Sequence, residues 1–341
     1  MRRRSQFALL RAFCLPLALV ATPAVAADPA DPGAVPEGEE TGEFSAHGFD
    51  ALRIENEFKL TLPREQTEDA WTYLQKRYAP DSPWLAELTD GITTKLSNEQ
   101  FRDRYFDDPS LGLLHAQSAV RHRTRWNLGD PTDRKSGREL IQIKLQRPGD
   151  QELNRSEIKF PVKHYAPTKP LDSHPVIGLI DRDHRSDFMR TVAEHGYDAM
   201  RLEPKLTLDQ HRRRVYISRA GSPFATITLD EVSSEKWGET VAFTEIEMEL
   251  NEIAYTEVSE SVRAEMEAVN ERMKRDLMTA FPSIVQDQTP KYNKVFNALD
   301  RRIRFLSLAL RMGAPVERMA ALTAVPVLLL AVMAFRTRKR R

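Results

Sequence analysis

Charged side chains recur at every second position along several segments of this 341-residue chain. Because residues i and i+2 lie on the same face of a β-strand, each segment would present a charged row on one face and apolar residues on the other. Acidic rows open and close the series: Glu55 and Glu57 lie in the first segment, and Glu245, Glu247 and Glu249 lie in the last. Basic residues dominate the rows between them, namely Arg121, Arg123, Arg125, Lys144, Arg155, Lys159, Arg212 and Arg214.

These two kinds of row suit the chemistry of a phosphate chain. Clustered carboxylates repel one another unless a cation lies between them, and sites with only oxygen ligands favour Mg²⁺ or Mn²⁺. Arginine guanidinium groups form paired hydrogen bonds with phosphate oxygens. If the sheet closes, its first and last strands become neighbours and the acidic rows meet. An open sheet with one solvated face produces the same alternation, so the pattern alone leaves both arrangements open.

The elements that carry these rows are mostly strands. Alternation and β-branched or aromatic content predict eight strands, whereas apolar spacings of three or four predict helices. The predicted strands cover residues 52–62, 101–106, 119–126, 139–146, 156–162, 213–218, 225–232 and 242–250. The predicted helices cover residues 67–78, 187–196, 256–281 and 293–311. Many antiparallel strands of this kind indicate a barrel or a sandwich.

Seven segments resemble, in order, the motifs of the CYTH domains of the triphosphate tunnel metalloenzymes. The segment ENEFK at residues 55–59 is similar to the ExExK signature that opens those domains. The other six segments are YFDDPSLGLL (105–114), AVRHRTR (119–125), IQIKLQ (141–146), HRRRVY (211–216), ITLDEV (227–232) and FTEIEMEL (243–250). The resemblance covers roughly residues 52–250, and the Pro- and His-rich segment 164–184 has no counterpart in it.

This resemblance implies a mainly β (α+β) fold, an eight-stranded antiparallel β-barrel tunnel with flanking helices. It implies metal binding by Glu55, Glu57, Asp230, Glu245 and Glu247. It implies phosphate binding by Lys59, Arg121, Arg123, Lys144, Arg212 and Arg214, with Arg155 as a further candidate. Glu157, Lys159 and Lys205 are additional candidate residues of the site. Lys291, after the long helix, is a candidate cap of the tunnel. The expected catalytic residues are Glu57, Lys59 and Glu247, with either glutamate positioning or deprotonating the attacking water.

The predicted function is the hydrolysis of a triphosphate or inorganic polyphosphate, with Mg²⁺ or Mn²⁺ as the cofactor. Two alternatives stay open: a VTC-type polyphosphate polymerase and a non-catalytic, extracytoplasmic polyphosphate-binding protein. A polyphosphate binder would need the basic rows but not the opposing carboxylates, so the acidic rows favour an enzyme. The sequence leaves the oligomeric state open.

Both ends of the chain have features of export and membrane insertion. Residues 1–26 predict a signal peptide, with a basic start, an apolar run and Ala24 and Ala26 at the cleavage site. Residues 319–335 form an uncharged run of 17 residues, and a basic tail follows at 336–341. This pattern predicts one transmembrane helix with a cytoplasmic tail. We therefore expect a single-pass protein of the inner (cytoplasmic) membrane whose folded domain lies on the periplasmic, extracytoplasmic side.

The intervening chain divides by composition. Residues 27–48 predict a disordered acidic linker, residues 49–295 the CYTH-type domain with its long helix, and residues 296–318 a juxtamembrane helix. Of the 50 basic residues, four lie in the predicted signal and five in the tail, so 41 remain against 50 acidic residues. The chain between these ends therefore lacks the excess of basic residues that is typical of a nucleic-acid-binding protein. The single cysteine, Cys14, lies in the predicted signal, which excludes thiolate chemistry from the mature chain.

Overall fold

A computed structural model of the chain describes residues 53–128, 137–146, 154–303 and 306–312. Within these residues nine strands pair into one antiparallel sheet. The strands are β1 (Arg53–Leu62), β2 (Ile92–Asp107), β3 (Ala119–Asn127), β4 (Arg138–Leu145), β5 (Asn154–Pro161), β6 (Glu203–Arg219), β7 (Ser222–Lys236), β8 (Glu239–Leu250) and β9 (Val285–Gln286). All eight predicted strands overlap strands of this sheet.

The sheet order is β5–β4–β3–β2–β6–β7–β8–β1–β9, and β1 pairs with β5 as well. Two-residue turns connect β6 to β7 and β7 to β8, and both residues of each turn have positive φ: Ala220 with Gly221, and Trp237 with Gly238. Such turns match the twist of paired strands and hold them in register. The three strands therefore present their alternating charges side by side.

The predicted fold, an eight-stranded β-barrel tunnel, is wrong. The described residues form a nine-stranded antiparallel sheet with flanking helices. The ninth strand is the two-residue β9, which pairs with Leu60 and Thr61 of β1. Two residues are too few to produce a period-two pattern, so alternation could not reveal this strand.

The predicted single-pass membrane localisation is also corrected. Among the helices of residues 53–128, 137–146, 154–303 and 306–312, none is long and apolar enough to cross a membrane. The predicted signal peptide (1–26), the acidic linker (27–48), the membrane span (319–335) and the basic tail (336–341) all lie outside the described residues.

Eight α-helices of the described chain flank the sheet. They are α1 (Thr67–Arg77), α2 (Pro83–Leu88), α3 (Gly112–His115), α4 (Arg185–Glu194), α5 (Glu252–Glu257), α6 (Glu260–Ala280), α7 (Lys291–Arg302) and α8 (Leu306–Met312). The predicted helix 256–281 is therefore two helices, α5 and α6, and the predicted helix 293–311 is α7 followed by α8. Val258 interrupts the first pair with an extended backbone.

Apolar side chains of the strands pack against these helices in three clusters. One cluster joins β1, β6, β7 and β8 to α1, α2 and α6, and includes Leu60, Ile246 and Leu277. A second joins the ends of several strands to α7 and α8. The third lies over β3, β4 and β5. These apolar faces account for the alternation seen in the sequence, because the charged residues occupy the opposite positions of the same strands.

The segment 164–184 belongs to the third cluster. Its residues Val176, Ile177 and Ile180 are buried against Ile141 and Ile143 of β4. Asp172 stabilises the segment by accepting hydrogen bonds at 2.7 Å from the side chains of Arg182 and Arg185. The insertion therefore covers an apolar face of the sheet, on the side opposite to the charged rows.

Candidate functional site

Buried charged side chains cover one face of the sheet, which we call the charged face. Its acidic members are Glu57, Glu99, Asp103, Glu157, Asp230, Glu245, Glu247 and Glu249, and its basic members are Lys59, Arg121, Arg123, Arg125, Lys144, Lys159, Arg212, Arg214, Lys291 and Lys294. In the described part of the chain all of these charges except Glu249 form ion pairs within the face. The face is therefore a neutralised network and not a bare cationic surface.

Strand register sets the acidic part of this network. Asp230 on β7 lies opposite Glu245 on β8 and, on its other side, opposite Arg212 on β6. Glu247 on β8 lies opposite Lys59 on β1. Because opposite residues of an antiparallel pair have adjacent side chains, carboxylates from two strands meet between basic residues from two others.

Three of these carboxylates converge on one ammonium group. The Nζ atom of Lys291, the first residue of α7, lies 2.8 Å from Asp230 Oδ2, 3.1 Å from Glu245 Oε1 and 2.6 Å from Glu247 Oε1. We call Asp230, Glu245 and Glu247 the carboxylate trio. Lys294, one helical turn later, forms an ion pair with Glu245 Oε2. The trio is thus arranged around cations supplied by a helix.

Lys59 and Arg212 complete the surroundings of the trio. Lys59 Nζ donates to Glu247 Oε1 at 2.9 Å and forms an ion pair with Glu57. Arg212 donates to Asp230 and, at 2.7 Å, to Glu247 Oε2. Glu247 therefore contacts three cationic side chains, counting Lys291. Lys59 links the acidic row of β1 to the acidic row of β8.

The basic rows are paired with two acids that the sequence analysis missed. Asp103 on β2 accepts from Arg121 at 3.1 Å and from Arg123 at 2.7 Å. Glu99 lies four residues before Asp103 on the same face of β2. Its carboxylate accepts a hydrogen bond from Arg125 at 2.6 Å and lies 3.7 Å from the guanidinium group of Arg214. Both acids are almost fully buried, so their pairing with arginine compensates the cost of removing charge from water.

A phenyl ring separates these pairs. Phe101 lies between Glu99 and Asp103 on β2 and is 1% exposed. The guanidinium carbons of Arg123, Arg212 and Arg125 lie 4.5, 5.1 and 5.7 Å from its ring centroid. A ring face attracts cations at such distances, so Phe101 fixes three guanidinium groups around one apolar centre.

The ionisation of the network follows from these contacts. Burial alone would raise the pKa of Glu247, but Lys291, Lys59 and Arg212 hold it well below its usual range. The pKa of Asp230 is lowered in the same way, against burial, by Arg212 and Lys291. Glu249 behaves in the opposite way, because burial and then the carboxylate of Glu57, opposite it on β1, raise its pKa to about 7. Asp230 and Glu247 are therefore anionic, whereas Glu249 exchanges its proton near neutral pH.

The structure brings together most of the residues that the sequence predicted for the site. Glu57, Lys59, Asp230, Glu245, Glu247, Arg121, Arg123, Lys144, Arg212 and Arg214 all belong to the charged face. Glu55 and Arg155 pair with each other in the β1–β5 register, but their side chains lie outside the described part of the structure. Lys144 and Lys159 flank Glu157, at 3.7 and 3.6 Å.

One candidate residue lies away from the charged face, and several residues of that face were not among the candidates. Lys205, a weaker candidate, lies elsewhere and donates to the carbonyl of Leu310 in α8. Glu99 was missed because the predicted strand began at residue 101, whereas β2 begins at Ile92. Extending the period-two alternation of that strand toward its start places Glu99 and Asp103 on one face. The sequence pattern therefore contained the information needed to find Glu99. Lys294 left no such signal, because its contact depends on where α7 packs.

The donor chemistry of the trio fits a divalent metal. Carboxylate oxygens are the ligands that Mg²⁺ and Mn²⁺ prefer, and three of them already converge on one cationic atom, Lys291 Nζ. Among the described residues, no group of three or more His, Cys, Asp or Glu side chains is arranged to hold a metal ion as it stands. Ammonium groups lie between these carboxylates instead.

The sheet and its buried face define an antiparallel β-protein with an ion-pairing site of clustered carboxylates beside rows of arginine and lysine. The chain belongs to the CYTH domain family, whose family model matches residues 84–277. This confirms the family to which the sequence motifs pointed. No curated protein matches the chain.

Solved structures with a similar fold include PH1819 from Pyrococcus horikoshii OT3, with a TM-score of 0.40 and 16% identity over 72% of this chain and 99% of that one. HpAC1 from Hippeastrum, described as having a dominant triphosphatase activity, has a TM-score of 0.39 and 16% identity over 72% and 95% of the two chains. The Pct1 RNA triphosphatase of S. pombe has a TM-score of 0.32 and 12% identity over 73% and 93%.

Proposed function

We propose that the charged face binds a triphosphate or an inorganic polyphosphate and hydrolyses it with bound Mg²⁺ or Mn²⁺. The observation that supports this most directly is the carboxylate trio beside Arg212 on one buried face. Membership of the CYTH domain family supports a divalent metal and a triphosphate substrate. Polyphosphate in particular is our extension, suggested by basic residues that continue along several strands.

Asp230, Glu245 and Glu247 would hold the metal, together with Glu57 and, by sequence alone, Glu55. When bound, the metal would neutralise charge on the phosphoryl oxygens. Lys59 lies between Glu57 and Glu247 and so orients both carboxylates. Either glutamate would then accept a proton from the attacking water, which requires no covalent nucleophile.

The basic rows would hold the phosphates. Arg121, Arg123 and Arg214 form ion pairs with acids in the protein, and their planar groups would exchange or share these partners with phosphate oxygens. Lys144 approaches the same face from β4. Phosphoryl transfer depends mainly on positioning and charge stabilisation, and a rigid network of buried guanidinium groups supplies both.

The test is phosphate release by the full-length purified chain. Tripolyphosphate, long-chain polyphosphate, ATP and thiamine triphosphate would each be offered with Mg²⁺, Mn²⁺ or EDTA. We expect metal-dependent release that Glu57→Ala and Glu247→Ala each reduce at least about 100-fold. Glu235→Ala, an exposed position on β7, serves as the matched control and should retain full activity. Equal release by the control and the Glu57→Ala variant would refute the assignment.

A non-catalytic polyphosphate-binding protein is the second candidate. It is favoured by the ion pairs that the ammonium groups of Lys291 and Lys294 form with the trio. This candidate predicts that polyphosphate binds in EDTA, that Arg123→Met weakens binding, and that no substrate releases phosphate. Metal-dependent turnover would exclude it.

A further inference from the structure

The start of α7 is held against β1 by hydrogen bonds of the preceding residues. The side chain of Gln288 accepts from the backbone N–H of Lys59 at 2.7 Å and donates to the carbonyl of Glu57 at 3.1 Å. The backbone N–H of Asp287 donates to the carbonyl of Lys59 at 2.9 Å. These bonds place the first turn of α7 directly beside the acidic rows of β1 and β8.

That first turn supplies two cations to the trio. Lys291 and Lys294 are three positions apart in a helix, so their side chains project from the same face. Lys291 contacts all three carboxylates, and Lys294 contacts Glu245 and donates to the carbonyl of Asp287 at 3.1 Å. Their side chains are only 5% and 10% exposed. Water therefore contributes little to balancing the charge of the trio, and these two lysines share the compensation with Arg212 and Lys59.

A divalent cation and these two ammonium groups require the same oxygens. If a metal bound the trio while both lysines stayed in place, like charges would meet within a few ångströms in a buried site, where screening is weak. If the lysines left with no metal bound, three buried carboxylates would repel one another. The charge of the trio is balanced when either the metal or the two ammonium groups are in place. It is not balanced when both are present or when both are absent.

We propose that Lys291 and Lys294 form an internal cation pair that competes with divalent metal for Asp230, Glu245 and Glu247. Metal binding displaces the two ammonium groups from the trio and frees them to contact an anion bound on the charged face. The rest of α7 remains anchored, because Tyr292 donates to Asp107 at 3.3 Å and stacks on Tyr105 at 4.8 Å. The inference rests on the proposed function only in taking the trio as metal ligands.

The experiment measures Mn²⁺ binding by isothermal titration calorimetry, without any phosphate compound. The full-length chain is compared with Lys291→Met, Lys294→Met and the double variant. Lys163→Met, whose side chain is 60% exposed just before the segment 164–184, is the matched control. We expect the double variant to bind Mn²⁺ at least tenfold more tightly than the wild type, with each single variant between them. We also expect its melting temperature to fall in EDTA and to recover in Mn²⁺.

Equal Mn²⁺ affinity in the wild type and in the folded lysine variants would overturn the proposal, as would weaker binding by the variants or no binding by any of them. If the double variant fails to fold in EDTA, Lys294→Met decides, because it leaves Lys291 to neutralise the trio. Amine labelling of the wild type, read by mass spectrometry, gives a second test. Mn²⁺ should raise the labelling of Lys291 several-fold and leave Lys163 unchanged, and unaltered protection of Lys291 at saturating Mn²⁺ would contradict displacement.

The outcomes also separate this inference from the proposed function. Lysine-dependent Mn²⁺ affinity without turnover of any phosphate compound would support the internal cation pair and refute the hydrolase. Metal-dependent turnover with Mn²⁺ affinity independent of Lys291 and Lys294 would support the hydrolase and refute the internal cation pair.

Discussion

Arg212 and Asp230 face each other across β6 and β7 and form a two-point ion pair, with the guanidinium Nε 2.6 Å from Oδ1. The same guanidinium reaches Glu247 on β8. All three side chains are nearly inaccessible to water, so each depends on the others to balance its charge. This pair joins the acidic and basic parts of the charged face.

Replacing Arg212 by methionine should destabilise the protein strongly. Asp230 and Glu247 would lose a shared cation while remaining buried, and breaking a buried pair on one side costs about 3–5 kcal/mol. Urea unfolding in EDTA would measure the loss. Arg102→Met is the matched control, because Arg102 pairs with Asp209 on the exposed side of the same sheet, and it should cost less than about 1 kcal/mol. Similar losses in the two variants would show that Arg212 is not essential to the network.

Truncating Phe101 should disturb both the packing and the arginines. Phe101→Ala removes a buried phenyl ring and should lower the free energy of unfolding by about 3–5 kcal/mol, because a cavity remains. Phe101→Leu fills most of that space but removes the ring face from Arg123 and Arg212, so it should cost roughly 1–2 kcal/mol. We expect both variants to raise KM for tripolyphosphate, because the guanidinium groups are held less firmly without the ring. A leucine variant with unchanged KM would mean that the ring acts in packing alone.

Glu249 should make the protein less stable as the pH rises. Its folded-state pKa is about 7, compared with an ordinary value of 4.5, because of burial and the facing carboxylate of Glu57. Stability from this group is therefore complete below about pH 4.5 and declines as the pH rises through 7. In EDTA, Glu249→Gln should unfold at a higher urea concentration than the wild type at pH 8, with little difference at pH 4.5. Glu235→Gln, exposed on β7, should show no such pH dependence.

The contribution of Glu99 to stability should change with pH in the opposite direction. Burial by itself raises its pKa, but Arg214 and Arg125 lower it from 4.5 to about 2. Its contribution is then present above pH 4.5 and is lost as the pH falls toward 2. Glu99→Gln should lower the stability at pH 7 by an amount on the order of 3 kcal/mol, and the gap should close in acid. A constant gap from pH 7 to pH 2.5 in urea unfolding would show that its ionisation does not contribute.

Alternation along the chain is enough to show which residues share a face of a strand. Alternation depends only on neighbours along the chain, so it placed Lys59 with Glu57, and Glu245 with Glu247, before any strand pairing was known. The ordered motifs also indicated the CYTH domain family, which the family match confirms. A pattern of this kind is lost where the segment is too short, as in β9, or where a strand extends beyond its apolar residues, as β2 does toward Glu99.

Contacts between the charged residues depend on how the strands and α7 pack together. Register between strands that are far apart in sequence brings Asp230 opposite both Arg212 and Glu245, and the packing of α7 brings Lys291 into the trio. These contacts depend on side chains 15 to 61 positions apart in the chain, which local propensity does not encode. The sequence therefore named most of the charged residues, whereas only the folded chain showed that they neutralise one another, because a buried charge must find its partner wherever the fold places one.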